Sequence, residues 1–478
     1  MVLLRRVRTM PARLALASAL AVGVVGALFF VLVARAWQKP NVVIVSLGAV
    51  RADTLDVWTQ PNVFPSAEPV APTLAHLCEV GVCFTQAYSN HPATRAAAAT
   101  LLTGGLAAEH GVRGPLDGLR PTQRQLAELF ASSGYDTGAV VGSYELDPIF
   151  GFRGFAEYDA RFDEPIVGWG IDPVPVPSLR FFDRGWQRSA RLNKLERNAR
   201  KPDPMTTDSA LGFAARHRAR PFFLWVHYFA ASPVWPAEGP PTPSVPLYVE
   251  RVREADRELK RLLRGFVDLG LDRSTWFVVH GDTGFALLEH NDFGPGTSLY
   301  EPAVRVPLVV VPPRAALQKL GGRKVSTPVS LVDVAPTLVD CVGLPVHVAW
   351  RASGLGSWVG CRGESPPRGD ALPLETYGLA TAAASKEVRL PSGVAVRVGE
   401  RLRAVRWQQW KYIVREPYPL LDIPAPAQVP PELVARLRRH EVYDLAADAD
   451  ERNNLAGQRP QIEQQLHAAL ESVLPAEP

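Results

Sequence analysis

Short apolar runs alternate with amphipathic stretches along most of the chain. Residues 42–47, 221–228 and 274–280 are nearly continuous apolar runs, long enough for strands that are buried on both faces of a sheet. In residues 248–265, charged residues recur with the period of a helix and would lie on one face of it, so this stretch predicts a long amphipathic helix. Because strands that alternate with helices form parallel sheets, the pattern predicts an α/β fold with a parallel-sheet core covered by helices on both faces.

The pattern changes near residue 388. Short segments of alternating polar and apolar residues follow, and residues 452–474 predict a closing helix. We therefore expect an α/β domain over residues 40–375 and a smaller C-terminal antiparallel-sheet subdomain with a terminal helix over residues 376–478. Residues 163–204 have no clear period and predict an irregular insertion over the surface.

The amino-terminal segment is strongly apolar. Residues 14–33 have about the length that spans a bilayer as a helix, and they follow a basic tail, residues 1–13, with four arginines. We expect residues 14–36 to be a transmembrane anchor, with the tail cytoplasmic and the globular domain extracytoplasmic, in the periplasm or outside the cell. The alternative is secretion after signal cleavage near Ala36, because Ala34 and Ala36 form a small-x-small pattern.

Composition narrows the functional classes. With 47% hydrophobic and 21% charged residues, the 478-residue chain can bury a large core. The formal net charge of +4 is small for this length, so a nucleic-acid-binding surface is not indicated.

The four cysteines are an even number in a compartment that permits disulfides. Cys78 with Cys83, and Cys341 with Cys361, are possible pairs, but three connectivities are open and four buried thiols are the alternative. The chain has neither the doubled CxxC spacing of a zinc site nor an HExxH motif.

The stretch NVVIVSLGAVRAD, residues 41–53, predicts the first strand and the connector that follows it. Ligands of open α/β sheets bind beyond the carboxyl ends of strands. At that end this strand offers Gly48 and Ala49, which have no side-chain chemistry, and then Arg51. The start of an alanine-rich helix predicted over residues 94–102 would present backbone donors to an anion.

An ordered series of segments resembles the sulfatase family of the alkaline-phosphatase-like superfamily. NVVIVSLGAVRADTL, ATLLTGGLAAEHGV, PFFLWVHYF, FVVHGDTG, SLYEPAVRVPLVV and EVYDLAADADERNNLA have counterparts there in the same order, from Asn41 to about Leu455. The resemblance implies an alkaline-phosphatase-like fold. Members of this family hydrolyse sulfate esters with a cysteine converted to formylglycine, or in relatives with serine or threonine, beside a calcium-like divalent ion held mostly by aspartates.

The resemblance places the nucleophile and the first metal ligands on unusual residues. The acidic ligand pair after the first strand falls on Gly48 and Ala49. Counting back from LLTG places Thr94 at the nucleophile, which is the alignment we prefer, whereas counting from Arg95 places His91 there. In neither alignment is a cysteine available for formylglycine formation.

The remaining site positions implied by the resemblance are also substituted. The histidine that follows PFFLWVHYF falls on Ser232, and the lysine before LYE falls on Pro295. In the second metal block Asp282 is the one retained ligand position, followed by Thr283 in place of histidine or asparagine. Other polar candidates near these positions are Arg51, Arg95, His280 and His290.

Each candidate also has a structural interpretation. Thr94 fits a helix cap better than a nucleophile, and Asp282 fits a metal ligand or a turn residue equally. His280 and His290 could form a new metal site with Asp282. The simpler interpretation is that they are surface or core histidines without a metal. His227, inside an apolar strand, is interpreted as a core residue. Lys411, in an alternating strand, is interpreted as a packing residue.

These substitutions predict a membrane-anchored sulfatase-like pseudoenzyme that acts by binding or assembly in the cell envelope. Its expected partners are the bilayer, through the amino-terminal helix, and an anionic sulfated or phosphorylated glycan or lipid. No cofactor is expected. One alternative is an active sulfatase or phosphotransferase-type hydrolase that uses Thr94, Asp282 and one divalent cation, Ca²⁺ or Mg²⁺; another is a structural envelope protein.

Overall fold

The computed structural model describes residues 39–475 except 59–63, 65, 67, 115–116, 162–200, 230, 232–243, 295, 315–319, 346–351, 353, 362–370, 380–385, 390–394, 421–428 and 430. The predicted anchor at residues 14–36, most of the predicted insertion, Ser232 and Pro295 lie outside the described residues. Within the described part of the chain, no helix is both long enough and apolar enough to cross a membrane.

A large sheet runs through the unit formed by residues 41–478. Its described strands are β1 (Asn41–Leu47), β2 (Val82–Tyr88), β3 (Asp136–Val141), β4 (Glu157–Asp159), β5 (Phe222–Tyr228), β6 (Thr275–Gly281), β9 (Arg305–Val311), β10 (Arg323–Val325) and β11 (Val329–Ser330). The intervening β7 (Ala286–Leu287) and β8 (Phe293–Gly294) form a separate short ribbon. The strand order is β10-β2-β9-β6-β1-β5-β3-β4, with β11 also paired to β2.

The sheet is mixed, so the prediction of a parallel core was wrong for one strand. β1 pairs in parallel with β5 and β6, but β9 runs antiparallel to both β2 and β6. The connection from β6 to β9 stays at the edge where β6 ends, because Asp282 N donates to Leu47 O and Gly284 N donates to Ala303 O. A connection that does not cross a face of the sheet leaves the next strand running in the opposite direction.

Helices cover both faces of this sheet, as the sequence predicts. The helices are α1 (Pro72–Val80), α2 (Thr94–Thr103), α3 (Ala107–His110), α4 (Leu126–Ser132), α5 (Asp203–His217), α6 (Val245–Asp268), α7 (Glu301–Val304), α8 (Val334–Cys341), α9 (Gly356–Val359), α10 (Pro431–Leu437) and α11 (Pro460–Val473). Val42 and Ile44 of β1 face the core under α2, α4 and α8, whereas Val43 and Val45 face the core under α1, α5 and α6.

Two helix ends differ from the prediction for local reasons. Helix α6 begins before residue 248 because the Ser244 hydroxyl accepts a hydrogen bond from Leu247 N and Pro246 lies in the first turn. The closing helix α11 begins at Pro460 instead of residue 452, since Gly457 has a φ of +79° and ends the preceding turn in a non-helical conformation.

The C-terminal residues form a second, antiparallel sheet, which confirms the predicted antiparallel C-terminal sheet. Its strands are β12 (Leu372–Leu379), β13 (Lys386–Arg389), β14 (Ala395–Trp407), β15 (Trp410–Tyr418) and β16 (Arg439–Asp444), in the order β12-β14-β15-β16 with β13 paired to β14. Leu466 and Leu470 of α11 pack against this sheet.

Two disulfides connect the cysteines that are closest in sequence. Cys78–Cys83 joins the end of α1 to β2, and Cys341–Cys361 joins the end of α8 to the residue after the turn that follows α9. Of the three connectivities that the sequence left open, the structure therefore has the two local pairs.

A buried ion cluster connects the small sheet to the large one. The Nζ atom of Lys411 on β15 lies 3.0 Å from Glu301 Oε1 and 2.9 Å from Glu451 Oε1. Lys411 and Glu451 are buried, and the side chain of Glu301 is 12% exposed. Burial alone would lower the pKa of Lys411, but the two carboxylates raise it above its ordinary value. Lys411 is thus a buried charge and not the packing residue that the strand pattern indicated.

Replacing Lys411 with methionine should lower the free energy of unfolding by roughly 3–5 kcal/mol, because the buried carboxylate of Glu451 and the largely buried one of Glu301 would lose this counter-charge. Urea denaturation would measure the change. Lys386→Met is the matched control: its ammonium group pairs with Glu400 at 2.9 Å but is solvent-exposed. Its loss should cost less than about 1 kcal/mol, and equal costs for the two variants would contradict this account.

His217, the last residue of α5, joins two strands at one side of the sheet. Its Nδ1 lies 2.9 Å from Asp136 Oδ2 on β3, and its Nε2 lies 2.7 Å from Glu157 Oε1 on the edge strand β4. Burial alone would lower the pKa of His217, but these two carboxylates raise it above its ordinary value. The ring of His217 therefore links β3 to the edge strand β4 through two carboxylates.

Stability should fall as the pH rises through the folded-state pKa of His217, because a raised pKa stabilises the fold fully only below the unfolded value of about 6.5. Urea denaturation at several pH values would show a steeper decline above that pH in the wild-type chain than in His217→Gln. His76→Gln, at an exposed histidine, is the control and should keep the wild-type slope. Parallel pH profiles for wild type and His217→Gln would refute the assignment.

Candidate functional site

The ends of three neighbouring strands meet at one edge of the large sheet. β1 lies between β5 and β6 in the sheet, and all three run in the same direction. Beyond their last residues, Gly48 N donates to Tyr228 O and Asp282 N donates to Leu47 O. This edge is where ligands bind in open α/β sheets, so the side chains that follow these strands define the candidate site.

Asp282 is the central side chain of this edge. Its Oδ1 accepts hydrogen bonds from the backbone N–H groups of Ala49, at 2.9 Å, and Thr283, at 2.5 Å. Its Oδ2 lies 3.1 Å from Nε2 of His227 on β5, and both side chains are 2% exposed or less. Burial alone would raise the pKa of Asp282, but His227 and the N–H of Ala49 hold it below its ordinary value. Both carboxylate oxygens are therefore engaged by N–H groups of the protein.

The loop after β1 is held in the conformation that reaches Asp282. Ala49 has a φ of +58°, in the left-handed region that non-glycine residues rarely adopt. The hydroxyl of Tyr248 on α6 donates to Ala49 O at 2.8 Å and accepts from Arg51 N at 3.0 Å. This buried tyrosine and Asp282 thus both hold Ala49, one through its carbonyl and the other through its N–H.

His280 belongs to a different hydrogen-bonded group. Its Nδ1 donates to Gly281 O at 2.8 Å, so its Nε2 accepts the hydroxyl proton of Ser46, also at 2.8 Å, while Trp225 Nε1 donates to the same hydroxyl. Burial lowers the pKa of His280 to about 4, and the ring is neutral at physiological pH. His280 is thus a core histidine with both ring nitrogens in use.

His290 lies apart from Asp282. Its ring stacks on Tyr300 with 3.7 Å between centroids, and its Nε2 donates to Asp450 O at 3.1 Å. Burial lowers the pKa of His290. The structure does not bring His280, His290 and Asp282 together as a set of metal ligands.

Thr94 is the first residue of α2 and does not cap it. Ala93 occupies the N-cap position, and no side chain accepts a hydrogen bond there. The interpretation of Thr94 as a helix cap was therefore wrong, and the first N–H groups of α2 lack a side-chain acceptor from that position.

A buried histidine, His91, lies just before the start of α2. His91 Nδ1 accepts a hydrogen bond from Ala93 N at 3.1 Å, and the ring stacks on Tyr377. Its Nε2 is buried without a hydrogen-bond partner among the described residues. Burial lowers the pKa of His91 to about 3, so the ring is neutral at physiological pH. Gly296 lies beside Ala93 at this helix start.

The two candidate arginines both bind other groups of the protein. Arg51 donates to both carboxylate oxygens of Asp53, at 2.8 and 2.6 Å, and to Glu289 Oε1 at 2.7 Å. Arg95 donates from Nε to Glu145 O at 2.8 Å, and its guanidinium lies 3.4 Å from the centroid of the Phe150 ring.

The structure thus brings only some of the predicted site residues together. Gly48, Ala49, Asp282 and Thr283 gather at the ends of β1 and β6, whereas no contact described here joins Thr94 to Asp282. Sequence reasoning interpreted His227 as a core residue and missed its contact with Asp282. The available signal was its position, one residue before the carboxyl end of a buried strand.

The divalent ion implied by the resemblance does not fit this arrangement. A hard cation such as Ca²⁺ takes six to eight oxygen ligands. Here Gly48 and Ala49 provide no side-chain oxygen, and both oxygens of Asp282 already face N–H groups. Among the described residues, no group of three or more His, Cys, Asp and Glu side chains is arranged to hold a metal ion.

The sequence matches the model of one protein family. The family model described as Sulfatase matches residues 40–344. Arylsulfatase K of Xenopus laevis is 26% identical over 239 residues, which are 48% of this chain and 36% of that protein. The N-acetylgalactosamine-6-sulfatase of Mus musculus is 27% identical over 282 residues, which are 54% of this chain and 52% of that protein. The matches therefore span between about a third and a half of these relatives.

Solved structures resemble nearly the whole chain. A 2-O GAG sulfatase superimposes with a TM-score of 0.63 at 17% identity and covers 91% of this chain and 92% of its own. The phosphonate monoester hydrolase of Agrobacterium radiobacter gives a TM-score of 0.62 at 17% identity, with coverage of 91% and 95%. At this identity the likeness establishes the fold alone.

Replacing Asp282 with alanine should lower the free energy of unfolding by roughly 3–5 kcal/mol, because three N–H groups would lose their buried acceptor. Asp282→Asn keeps one acceptor oxygen and should cost less. Asp448→Ala is the matched control, since that carboxylate also accepts two backbone N–H bonds but at the surface, and its loss should cost less than about 1 kcal/mol. Urea denaturation would measure all three, and a neutral Asp282→Ala would contradict the structural role.

Proposed function

Because the chain belongs to the sulfatase family, we propose that it uses this scaffold for binding or assembly in the cell envelope, without standard metal-dependent hydrolysis of sulfate esters. The family match covers residues 40–344, the part that contains the candidate site. The proposal concerns what the chain does with that site, since a shared fold supports many functions.

One observation supports the loss of hydrolysis: the backbone N–H of Ala49 occupies Asp282 Oδ1 at the position where the family has a second acidic ligand. Transfer of a sulfuryl group requires its charge to be neutralised, and a metal ion usually supplies several kcal/mol of that stabilisation. Gly48 and Ala49 offer no side-chain oxygen with which to hold such an ion.

The proposed nucleophile position points the same way. A hydroxyl becomes a useful nucleophile only beside a base or a metal. Thr94 begins α2, and the nearby imidazole of His91 already uses Nδ1 to accept the N–H of Ala93. Arg51 and Arg95, which would otherwise offer positive charge to a sulfate ester, bind acidic, carbonyl and aromatic groups of the protein itself.

The ligand that we propose is an anionic sulfated or phosphorylated glycan or lipid. The uncapped start of α2 provides backbone N–H donors and the positive end of the helix dipole. One relative is named for an N-acetylgalactosamine 6-sulfate substrate, which makes a sulfated amino sugar the first ligand to test.

We also propose that residues 14–36 anchor the domain on the extracytoplasmic side of a membrane. The apolar length of this segment and the arginines before it support that orientation. The two disulfides support it independently, because disulfides persist in oxidising compartments and are rare in the cytosol.

Turnover measurements test the loss of hydrolysis. The full-length chain in detergent should hydrolyse neither an aryl sulfate nor an aryl phosphodiester faster than the Thr94→Ala and Asp282→Asn variants. Turnover in the wild-type chain that disappears in Thr94→Ala would overturn the proposal and establish a rebuilt active site.

Binding is tested separately by thermal denaturation. A 6-sulfated N-acetylgalactosamine should raise the Tm of the wild-type chain by mass action, whereas the unsulfated sugar should not. Equal effects of the two sugars would exclude recognition of the sulfate. If sulfated and phosphorylated glycans and lipids all leave the Tm unchanged, the protein is better explained as a structural component of the envelope.

A further inference from the structure

Asp282 receives its three N–H contacts from three different parts of the sheet edge. Ala49 lies in the loop after β1, His227 lies on β5, and Thr283 follows β6. These are the central strand and its two neighbours in the large sheet. One carboxylate therefore connects the ends of three adjacent strands, which a divalent ion can also do when it binds ligands from several strands.

A buried carboxylate needs a counter-charge or a full set of donors, because the desolvation of an ion costs several kcal/mol. Asp282 is 2% exposed, and both of its oxygens have N–H groups within hydrogen-bonding distance. Several N–H donors around one carboxylate are a known way to stabilise the ionised form. The protein thus provides at this position what a bound cation would provide.

We propose that His227 and the backbone N–H groups of Ala49 and Thr283 replace a divalent cation, so that this sheet edge is closed and stable without metal. The inference goes beyond the loss of hydrolysis, because a site can lose its reaction and still bind an ion. It assigns a specific role to His227, which the apolar strand pattern indicated as a core residue.

The contacts of His227 support this role. Its Nε2 contact with Asp282 is the one hydrogen bond that its side chain makes among the described residues, since its Nδ1 is buried without a partner there. The neighbouring His280 differs, because both of its ring nitrogens are bonded to Ser46 and Gly281. The two buried histidines are therefore a natural pair of test and control positions.

The loop that carries Ala49 resists the rearrangement that a metal ion would require. To expose Oδ1, Ala49 would have to move its N–H away, although Tyr248 holds its carbonyl at 2.8 Å. The same tyrosine binds Arg51 N, and Arg51 in turn donates to Phe285 O and to Glu289. Opening the site would disturb this series of hydrogen bonds, most of which are buried.

The first test is the metal dependence of the wild-type full-length chain. Metal analysis after purification should find no stoichiometric Ca²⁺ or Mg²⁺, and the Tm should be the same in excess EDTA and in excess CaCl₂. One tightly held divalent ion per chain, or a Tm that falls in EDTA, would overturn the inference.

The second test restores the metal site. Gly48→Asp/Ala49→Asp/His227→Asn introduces two carboxylates into the loop that contacts Asp282, and aspartate tolerates the left-handed conformation of residue 49 better than most residues. Ca²⁺ should then raise the Tm by roughly 3 °C or more, whereas wild type should not respond. The control Gly48→Asp/Ala49→Asp/His280→Asn keeps His227 on Asp282 and should respond less.

A calcium response equal in both triple variants would refute the role given to His227. If the triple variants fail to fold, the wild-type metal content and the effect of EDTA still decide the question. The outcome is separable from the proposed function. A wild-type metal ion without turnover would refute this inference alone, whereas turnover without metal would refute only the proposed loss of hydrolysis.

Discussion

The neutralisation of one buried carboxylate governs the arrangement of this protein's sheet edge. Asp282 lies where β1, β5 and β6 end, and its charge must be compensated for the strands to close there. The compensation comes from N–H groups, and it fixes the left-handed conformation of Ala49 and the position of Tyr248 behind it. In this sulfatase fold, N–H groups of the protein close the edge around Asp282.

Much of the fold could be predicted because the buried positions of strands and helices recur with a characteristic period in the sequence. The apolar runs placed β1, β5 and β6, and the change to alternation placed the C-terminal antiparallel sheet. The direction of β9 could not be predicted, since a strand buried on both faces has the same pattern in a parallel or an antiparallel pairing. The local disulfides were among the connectivities allowed, but only spatial proximity selects one.

The site was less predictable than the fold because its key contacts join residues distant in sequence. The resemblance located Gly48, Ala49 and Asp282, yet it did not reveal that the backbone of one binds the carboxylate of another. His227 and Lys411 were misjudged for one physical reason. A single polar residue in an apolar or alternating strand carries no sign of its partner, and here the partners are Asp282 and a pair of glutamates.

Because β9 runs antiparallel to β6, the connection between them stays at one edge of the sheet, and this limits where its length can vary among related chains. The connection from β6 to β9 begins at Asp282, whose carboxylate contacts His227. Its last helix, α7, begins at Glu301, which binds Lys411 of the small sheet. Asp282 is buried and the side chain of Glu301 is only 12% exposed, so a shift at either position would separate a largely buried charge from its partner. Differences in length among related chains should therefore be confined to the middle of this connection, around β7 and β8, while its two ends change only in concert with their partners.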